Sequence, residues 1–320
     1  MRVLVTGRLP GHILAMLEKE HTVEINSTDR PMSREQILVQ VSDKQGLLCM
    51  ITDQIDCELI DRAPRLKIIA NCGVGFNNID IRAAAAKSIP VTNTPDVLTD
   101  ATADLTFALI LTVSRRIVEG DKKVRAGRFD PWAPLYFLGQ EVSGKTLGII
   151  GLGRIGEAVA KRAAGFGMQI FYYKQKRLDA DAEKNLGVVY APMEKLLSES
   201  DFISLHVPLT AHTRHLVGEK ELNLMKASAY LVNTSRGPVV DEKALLKALE
   251  NKRIQGAGLD VYENEPELTP GLTALDNVVL LPHMGSATIE TRTQMARLAV
   301  ENLLAGLRGE VPPNCVSSVQ

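Results

Sequence analysis

Hydrophobic positions in this chain gather into short contiguous runs, separated by stretches in which apolar residues recur every third or fourth position. The first pattern reads as buried strand and the second as helix lying against a sheet. Strands are expected over 3–6, 22–25, 47–51, 67–70 and 90–92, with helices over 11–20, 33–41 and 56–63 between them. A long helix follows over 99–119, with Leu105, Ala108, Leu109, Leu111 and Thr112 spaced for burial. Next comes a loop rich in aromatic residues and proline, 129–137, and then a second series of strands: 146–150, 169–173, 202–207, 229–233, 255–260 and 278–281. An amphipathic helix over 288–307 and a short polar tail complete the chain. Strand alternating with helix almost throughout argues for parallel α/β architecture. No short-period repeat or low-complexity linker interrupts it. Periodicity does not say which domain takes the last helix.

Bulk properties narrow the class. At 320 residues the chain exceeds one typical core and suggests two domains. The net charge of −1, with Lys and Arg scattered, gives no reason to expect a nucleic acid or an anionic membrane as partner. No apolar run approaches the roughly 18 residues of a membrane span. The opening Met1-Arg2-Val3-Leu4-Val5-Thr6-Gly7 reads as a first strand rather than a signal peptide, so a cytoplasmic protein is expected. Cys49, Cys57, Cys72 and Cys315 form no C-x-x-C pair and no metal spacing. Three of them sit in apolar or strand-like surroundings and read as buried free thiols, and no metal is expected.

One run moves the reading from fold to chemistry. Gly151-Leu152-Gly153-Arg154-Ile155-Gly156 follows the apolar stretch 146–150 and precedes a helical pattern over 157–165. Strand, G-x-G-x-x-G and helix form the context of a dinucleotide site. The first glycine permits the tight turn, the second lets backbone approach a pyrophosphate, and the third lets helix pack on strand. The pyrophosphate then meets the helix N-terminus, where free N–H groups and the dipole favour an anion.

Arg236, Glu265 and His283 each follow an expected strand, which puts them at the carboxyl edge of a parallel sheet, where ligands bind. Histidine beside a carboxylate suits proton transfer near neutral pH, because the carboxylate favours imidazolium. Arginine offers a fork of donors to a carboxylate or a keto oxygen. Each also has an ordinary reading: a strand cap or Asp241 partner, a solvated loop carboxylate, a turn histidine. Gly73-Val74-Gly75 allows backbone N–H groups to face a carboxylate, or is simply a tight turn. His12, His21, His212 and His215 read as surface residues.

Five segments, 71–80, 151–156, 233–241, 258–266 and 281–288, together resemble the D-2-hydroxyacid dehydrogenase family in order, spacing and wording, over essentially the whole chain. The Trp132-x-Pro134 stretch is most similar to that family's glyoxylate/hydroxypyruvate reductases. The resemblance implies two Rossmann-like/flavodoxin-like parallel-sheet α/β domains with an active-site cleft between them. Residues 1–98 plus 288–320 would form the substrate-binding domain and 99–287 the dinucleotide-binding Rossmann domain. It also implies NAD(P)H-dependent reduction of small 2-oxo acids to D-2-hydroxy acids, glyoxylate to glycolate and hydroxypyruvate to D-glycerate foremost. Other activities of the family, 3-phosphoglycerate or phosphite oxidation, and a non-catalytic NAD(H)-sensing role are the alternatives.

The same resemblance implies catalysis by Arg236, Glu265 and His283. It puts the substrate on Gly73, Val74, Gly75, Arg236 and His283. Trp132 would reach a neighbouring subunit's substrate pocket, hence a homodimer. Cofactor contacts would come from Thr102, Gly151, Gly153, Arg154, Ile155 and Gly156, then Lys174, Gln175, Lys176 and Arg177. His206, Val207, Pro208, Thr213, Thr234, Ser235, Arg236, Asp260, His283 and Gly285 would complete the set. Where NAD-preferring members carry Asp after the second strand, this chain has Lys174, and no acid follows until Asp179. Lys174, Lys176 and Arg177 near an adenosine ribose suit a 2′-phosphate, so NADP(H) is the preferred cofactor expected, with NAD(H) possible.

Overall fold

A computed structural model describes residues 1–316. The chain divides into two compact units: one holds residues 1–98 and the segment from Ser286 on, the other Thr99–Gly285. Residues 317–320 of the expected 288–320 segment lie outside the described residues.

The first unit runs β1 (Arg2–Val5), α1 (Gly11–Glu18), β2 (Thr22–Ile25), α2 (Arg34–Gln40), β3 (Gly46–Met50), α3 (Cys57–Arg62), β4 (Ile68–Cys72), α4 (Ile81–Ala86) and β5 (Val91–Thr92). Its parallel sheet has the order β2-β1-β3-β4-β5. Successive strand residues serve opposite faces. Leu4, Leu47, Cys49 and Ile69 pack in one layer, while Val3, Val5, Leu48, Ile68 and Ala70 pack in the other. The second layer includes Ala296, Ala299, Val300 and Leu303 of the final helix (Ile289–Leu307), which therefore belongs to this unit. After α1, which follows Pro10 without a side-chain cap, the helices of this unit start where a short acceptor precedes them. Ser33, Asp56, Asp80 and, for the final helix, Thr288 each accept a first-turn N–H.

The second unit begins with α5 (Thr99–Ser114) and α6 (Ile117–Arg125), followed by β6 (Thr146–Ile150) and α7 (Arg154–Gly165). Next come β7 (Gln169–Tyr173), α8 (Ala180–Leu186), β8 (Val189–Tyr190), α9 (Met193–Glu199) and β9 (Phe202–Leu205). It closes with α10 (Glu219–Leu224), β10 (Tyr230–Asn233), α11 (Glu242–Glu250), β11 (Gly256–Leu259) and β12 (Val278–Leu280). The seven strands are parallel in the order β12-β11-β10-β9-β6-β7-β8. Apolar layers cover both faces, which is why these strands read as continuous rather than alternating apolar runs.

Four local readings change. Ala108, expected to be buried on the long helix, is exposed. The single helix expected over 99–119 is two, because Arg116 adopts a left-handed φ of 55° and turns the chain. Its guanidinium holds that corner, bonding Glu119 at 2.8 and 2.6 Å and stacking 4.1 Å from the Phe137 ring centroid. The helix after the glycine run starts at Arg154, three residues before the expected 157. Of the thiols only Cys49 is fully buried; Cys72 and Cys315 are half-buried and Cys57 is exposed on α3.

Candidate active site

In the larger sheet β6 lies between β9 and β7, so strand order reverses there. Loops leaving the carboxyl ends on either side of such a point part and leave a crevice. Gly151 leaves β6 there with φ +97°, and a Cβ on it would stand 2.7 Å from the His206 backbone beyond β9. A Cβ on Gly156 would strike the Gly151 carbonyl oxygen, whereas a Cβ on Gly153 would find no atom within 4 Å. The first and third glycines are thus closed in by protein and the second faces open space. That is the cradle a pyrophosphate needs. Directly behind it α7 begins with no side-chain cap, leaving the N–H groups of Ile155 and Gly156 in its first turn for an anion. These residues fit a dinucleotide.

Lys174, Gln175, Lys176 and Arg177 leave the end of β7, with Lys174 half-buried and the others exposed. Arg177 donates to Glu183 at 2.7 and 2.8 Å, and Glu183 also accepts the Tyr172 hydroxyl at 2.6 Å. Those two donors hold the Glu183 carboxyl down to about 2. Two of Arg177's donors are therefore committed within the protein, which leaves Lys174 and Lys176 as the readier cations for a phosphate. Asp179, the first acid along the chain after this run, accepts the Ala182 N–H at 2.8 Å as the cap of α8.

His206 and Ser204 lie 3.1 Å apart, and burial pushes the His206 imidazole down to about 3. It is neutral near pH 7 and no proton donor there. Val207 and Pro208 follow it, and Thr213 folds back to donate to the Pro208 carbonyl at 2.5 Å. Thr234 shares a hydrogen bond of 2.9 Å with Thr106, fastening the end of β10 to α5. Thr102, on the same helix, would lie 3.5 Å from a Cβ on Gly285.

The loop after β10 is shaped by Asn233. Its side-chain Oδ1 accepts from the Ser235 N–H (3.0 Å) and hydroxyl (2.8 Å), and its side-chain Nδ2 donates to the Arg236 carbonyl at 3.0 Å. Arg236 is thereby held in extended backbone, its guanidinium donating to Ser235 O at 2.7 Å. Burial opposes its charge and the Glu265 carboxylate supports it. Gly237 has no room for a side chain, since a Cβ would overlap the Tyr262 carbonyl, so the Arg236 and Glu265 segments lie in close contact.

Glu265 accepts the Tyr262 N–H at 2.9 Å on Oε1, and its Oε2 lies 2.7 Å from His283 Nδ1. Burial pushes the Glu265 carboxyl up, but the His283 bond and charge, the Tyr262 N–H and Arg236 outweigh it and leave the group below its ordinary value. Glu265 is thus ionised near neutral pH. His283 has a left-handed φ of 51°, in a turn fixed from below by buried Asp260, which accepts the Met284 and Gly285 N–H groups at 2.7 and 2.8 Å. Desolvation raises the Asp260 carboxyl against the pull of those bonds. With both oxygens on the turn, Asp260 supports His283 from behind.

In the smaller sheet Gly73-Val74-Gly75 follows β4. Asn71 donates to the Gly73 and Gly75 carbonyls at 3.2 and 2.8 Å, and Asn93 donates to the Val74 carbonyl at 2.8 Å. The carbonyls are drawn inward, while the N–H groups of 73–75 find no acceptor among the described residues. Such a nest suits a carboxylate. Trp132 lies between α6 and β6, 82 % exposed, and makes no hydrogen bond or ring contact among the described residues.

Sequence reasoning singled out the glycines and the three chemical side chains but passed over Asn71, Asn93 and Asn233. The available signal was an asparagine closing an otherwise apolar strand: buried polar groups must be hydrogen-bonded, so each announces a partner loop.

The family described as D-isomer specific 2-hydroxyacid dehydrogenase, NAD binding domain, matches residues 107–285. A glyoxylate reductase of Thermococcus litoralis is 53% identical, over 99% of this chain and 96% of that one. Among solved structures, a glyoxylate reductase from Paecilomyes thermophila superposes with a TM-score of 0.88 at 36% identity, covering 99% of this chain and 98% of that one. An NADPH-dependent glyoxylate/hydroxypyruvate reductase from Sinorhizobium meliloti, in complex with NADP and malonate, has a TM-score of 0.86 at 35% identity, covering 98% and 96%.

Proposed function

The chain belongs to the D-isomer specific 2-hydroxyacid dehydrogenase family, and from that premise we propose that it reduces glyoxylate to glycolate and hydroxypyruvate to D-glycerate, using NADPH in preference to NADH. The observation that carries this reading is the 2.7 Å pairing of His283 Nδ1 with an ionised Glu265, next to the Arg236 segment. When bound, the reduced nicotinamide supplies a hydride to the carbonyl carbon. His283, its Nδ1 engaged by Glu265, gives a proton from Nε2 to the carbonyl oxygen, and takes it back in the oxidative direction. Arg236 polarises that oxygen and holds the substrate carboxylate. The N–H groups of Gly73, Val74 and Gly75, in the other unit, form a nest of the kind that takes a carboxylate.

Preference for NADPH rests on Lys174 and Lys176 beside the cradle, on an Asp179 used as a helix cap, and on the NADP bound by the Sinorhizobium relative. Phe129, Trp132 and Leu135, 73%, 82% and 84% exposed, form apolar surface that a second copy of the chain would cover, so a homodimer is proposed. Sedimentation equilibrium should then give twice the chain mass. Steady-state oxidation of NADPH and NADH with glyoxylate, hydroxypyruvate and pyruvate tests the main reading. Turnover of the first two substrates, faster with NADPH, is expected. Faster turnover with NADH would overturn the cofactor choice, and no turnover with either would overturn the activity.

A further inference from the structure

His215, whose sequence context gives only a surface residue, ties together the two segments that carry Arg236 and Glu265. Its backbone N–H donates to the Pro238 carbonyl at 2.8 Å, two residues beyond Arg236. Its ring Nε2 lies 2.6 Å from Glu263 Oε1, two residues before Glu265. Val217 continues the first tie, bonding Val239 O at 3.1 Å, and Asp241 returns a bond to Val217 O at 3.0 Å. His215 reaches both partners from a left-handed backbone, φ 52°, a conformation that costs a non-glycine residue energy and persists only where surroundings enforce it.

The turn it grips is the hub of the candidate acid–base pair. Within Tyr262–Glu265, the Tyr262 N–H holds Glu265 Oε1, and the Tyr262 hydroxyl donates to Leu281 O at 2.7 Å, two residues before His283. From the other side buried Glu242 accepts the Glu263 N–H at 2.5 Å and the Thr269 hydroxyl at 2.6 Å. Glu263 itself is only 15% exposed on its side chain, and Arg214 reaches it at 3.4 Å. A second His–Glu pair, His215–Glu263, thus stands two residues along the turn from His283–Glu265.

We propose that His215, through Glu263, is a positioning residue that holds the Tyr262–Glu265 turn so that Glu265 meets His283 beside Arg236. This rests on the acid–base reading of that pair. The residue touches no reacting atom; it fixes the geometry of residues that do, and misplacements of about 1 Å cost up to ~10²-fold in rate.

The test is a double-mutant cycle on the full-length enzyme with glyoxylate, with NADPH affinity measured separately by fluorescence titration. His215→Ala should lower kcat about tenfold, with NADPH affinity and the NADPH KM unchanged within twofold. His215→Gln, whose amide can still donate to Glu263, should recover most of that loss. In a Glu265→Gln background, His215→Ala should cost less than twofold, because the group it positions is already disabled. An equal loss in both backgrounds, a loss of NADPH affinity matching the loss of kcat, or no loss at all overturns the proposal. If Glu265→Gln alone leaves kcat unchanged, the acid–base reading falls, and the positioning role falls with it.

Discussion

The turn after β6 and the turn after β4 both bring glycines to the carboxyl end of a parallel strand, and both present N–H groups to an anion. They are built by different means. Behind the turn after β6 stand the twelve residues of α7, whose aligned peptides place about half a positive charge at the first turn. The turn after β4 has no such helix; α4 starts only at Ile81 and is six residues long. There the side-chain amides of Asn71 and Asn93 pull three carbonyls inward, and the N–H groups point outward as a consequence. One site draws on many peptides that all do the same job. The other depends on two side chains, so it should fail by single substitutions that leave the first untouched.

The largest expected effect is at Gly151. With φ +97° and the His206 backbone 2.7 Å from a would-be Cβ, Gly151→Ala should cost at least about 1–3 kcal/mol in urea unfolding and lower NADPH affinity more than about a hundredfold. Gly153→Ala, two residues on, adds its methyl to open space. It should leave stability within about 0.5 kcal/mol and still weaken NADPH about tenfold, since only the ligand contests that space. Equal destabilisation by the two substitutions would mean that the second glycine serves packing, and the contrast between cradle and scaffold would dissolve.

Asn71→Ala strikes the other turn. Losing both amide bonds leaves the Gly75 carbonyl short of a donor, worth roughly 1–3 kcal/mol of stability, while the Gly73 carbonyl keeps the Thr94 N–H at 3.0 Å. The glyoxylate KM should rise about tenfold while the NADPH dissociation constant stays fixed. A parallel rise in both constants would refute the separate construction of the two sites.

This pair of turns also shows what the sequence makes legible. The turn after β6 is readable because its requirements are local: apolar strand, glycines at fixed offsets, helix, all within 146–165. Arg236, Glu265 and His283 are readable as types at strand ends, but their convergence depends on Gly237 admitting the Tyr262 backbone, a contact between residues 25 apart that no local pattern encodes. Asn93 acting on Val74 spans 19 residues and is equally silent. The final helix packs beside Val3 and Val5 although nearly three hundred residues separate them, and its amphipathic period fits either sheet. Arg116, a charged residue in a left-handed corner, breaks what periodicity reads as one helix, because the compensating Glu119 and Phe137 contacts are tertiary.

A smaller effect is expected at the segment leaving β7, which supplies charge through side chains rather than peptides. Lys174→Asp should move the NADPH/NADH ratio of kcat/KM about tenfold toward NADH, whereas Arg177→Ala, removing a guanidinium already held by Glu183, should move it less than threefold. If the two substitutions act equally, the Glu183 pairing does not withhold Arg177 from the phosphate.

The last and smallest effect concerns the wall of the turn after β6. Burial pushes folded His206 to about 3, against 6.5 as the ordinary value. A folded pKa below the unfolded one means that the unfolded chain binds a proton the folded chain refuses. The stabilisation from a neutral His206 is therefore complete above about pH 6.5 and is lost as pH falls toward 3, at no more than about 1.4 kcal/mol per pH unit. Asn at 206 keeps a polar partner for Ser204 but does not titrate. Urea unfolding at pH 7 and pH 5 should show a shallower acid-side decline in His206→Asn than in the unsubstituted protein. A dry wall would strengthen the hold of the turn on an anion: peptide N–H groups act at full strength where water does not screen them. If the two pH slopes coincide, the imidazole is solvated. The turn after β6 is then as wet as the turn after β4, and its advantage must come from the number of its aligned peptides alone.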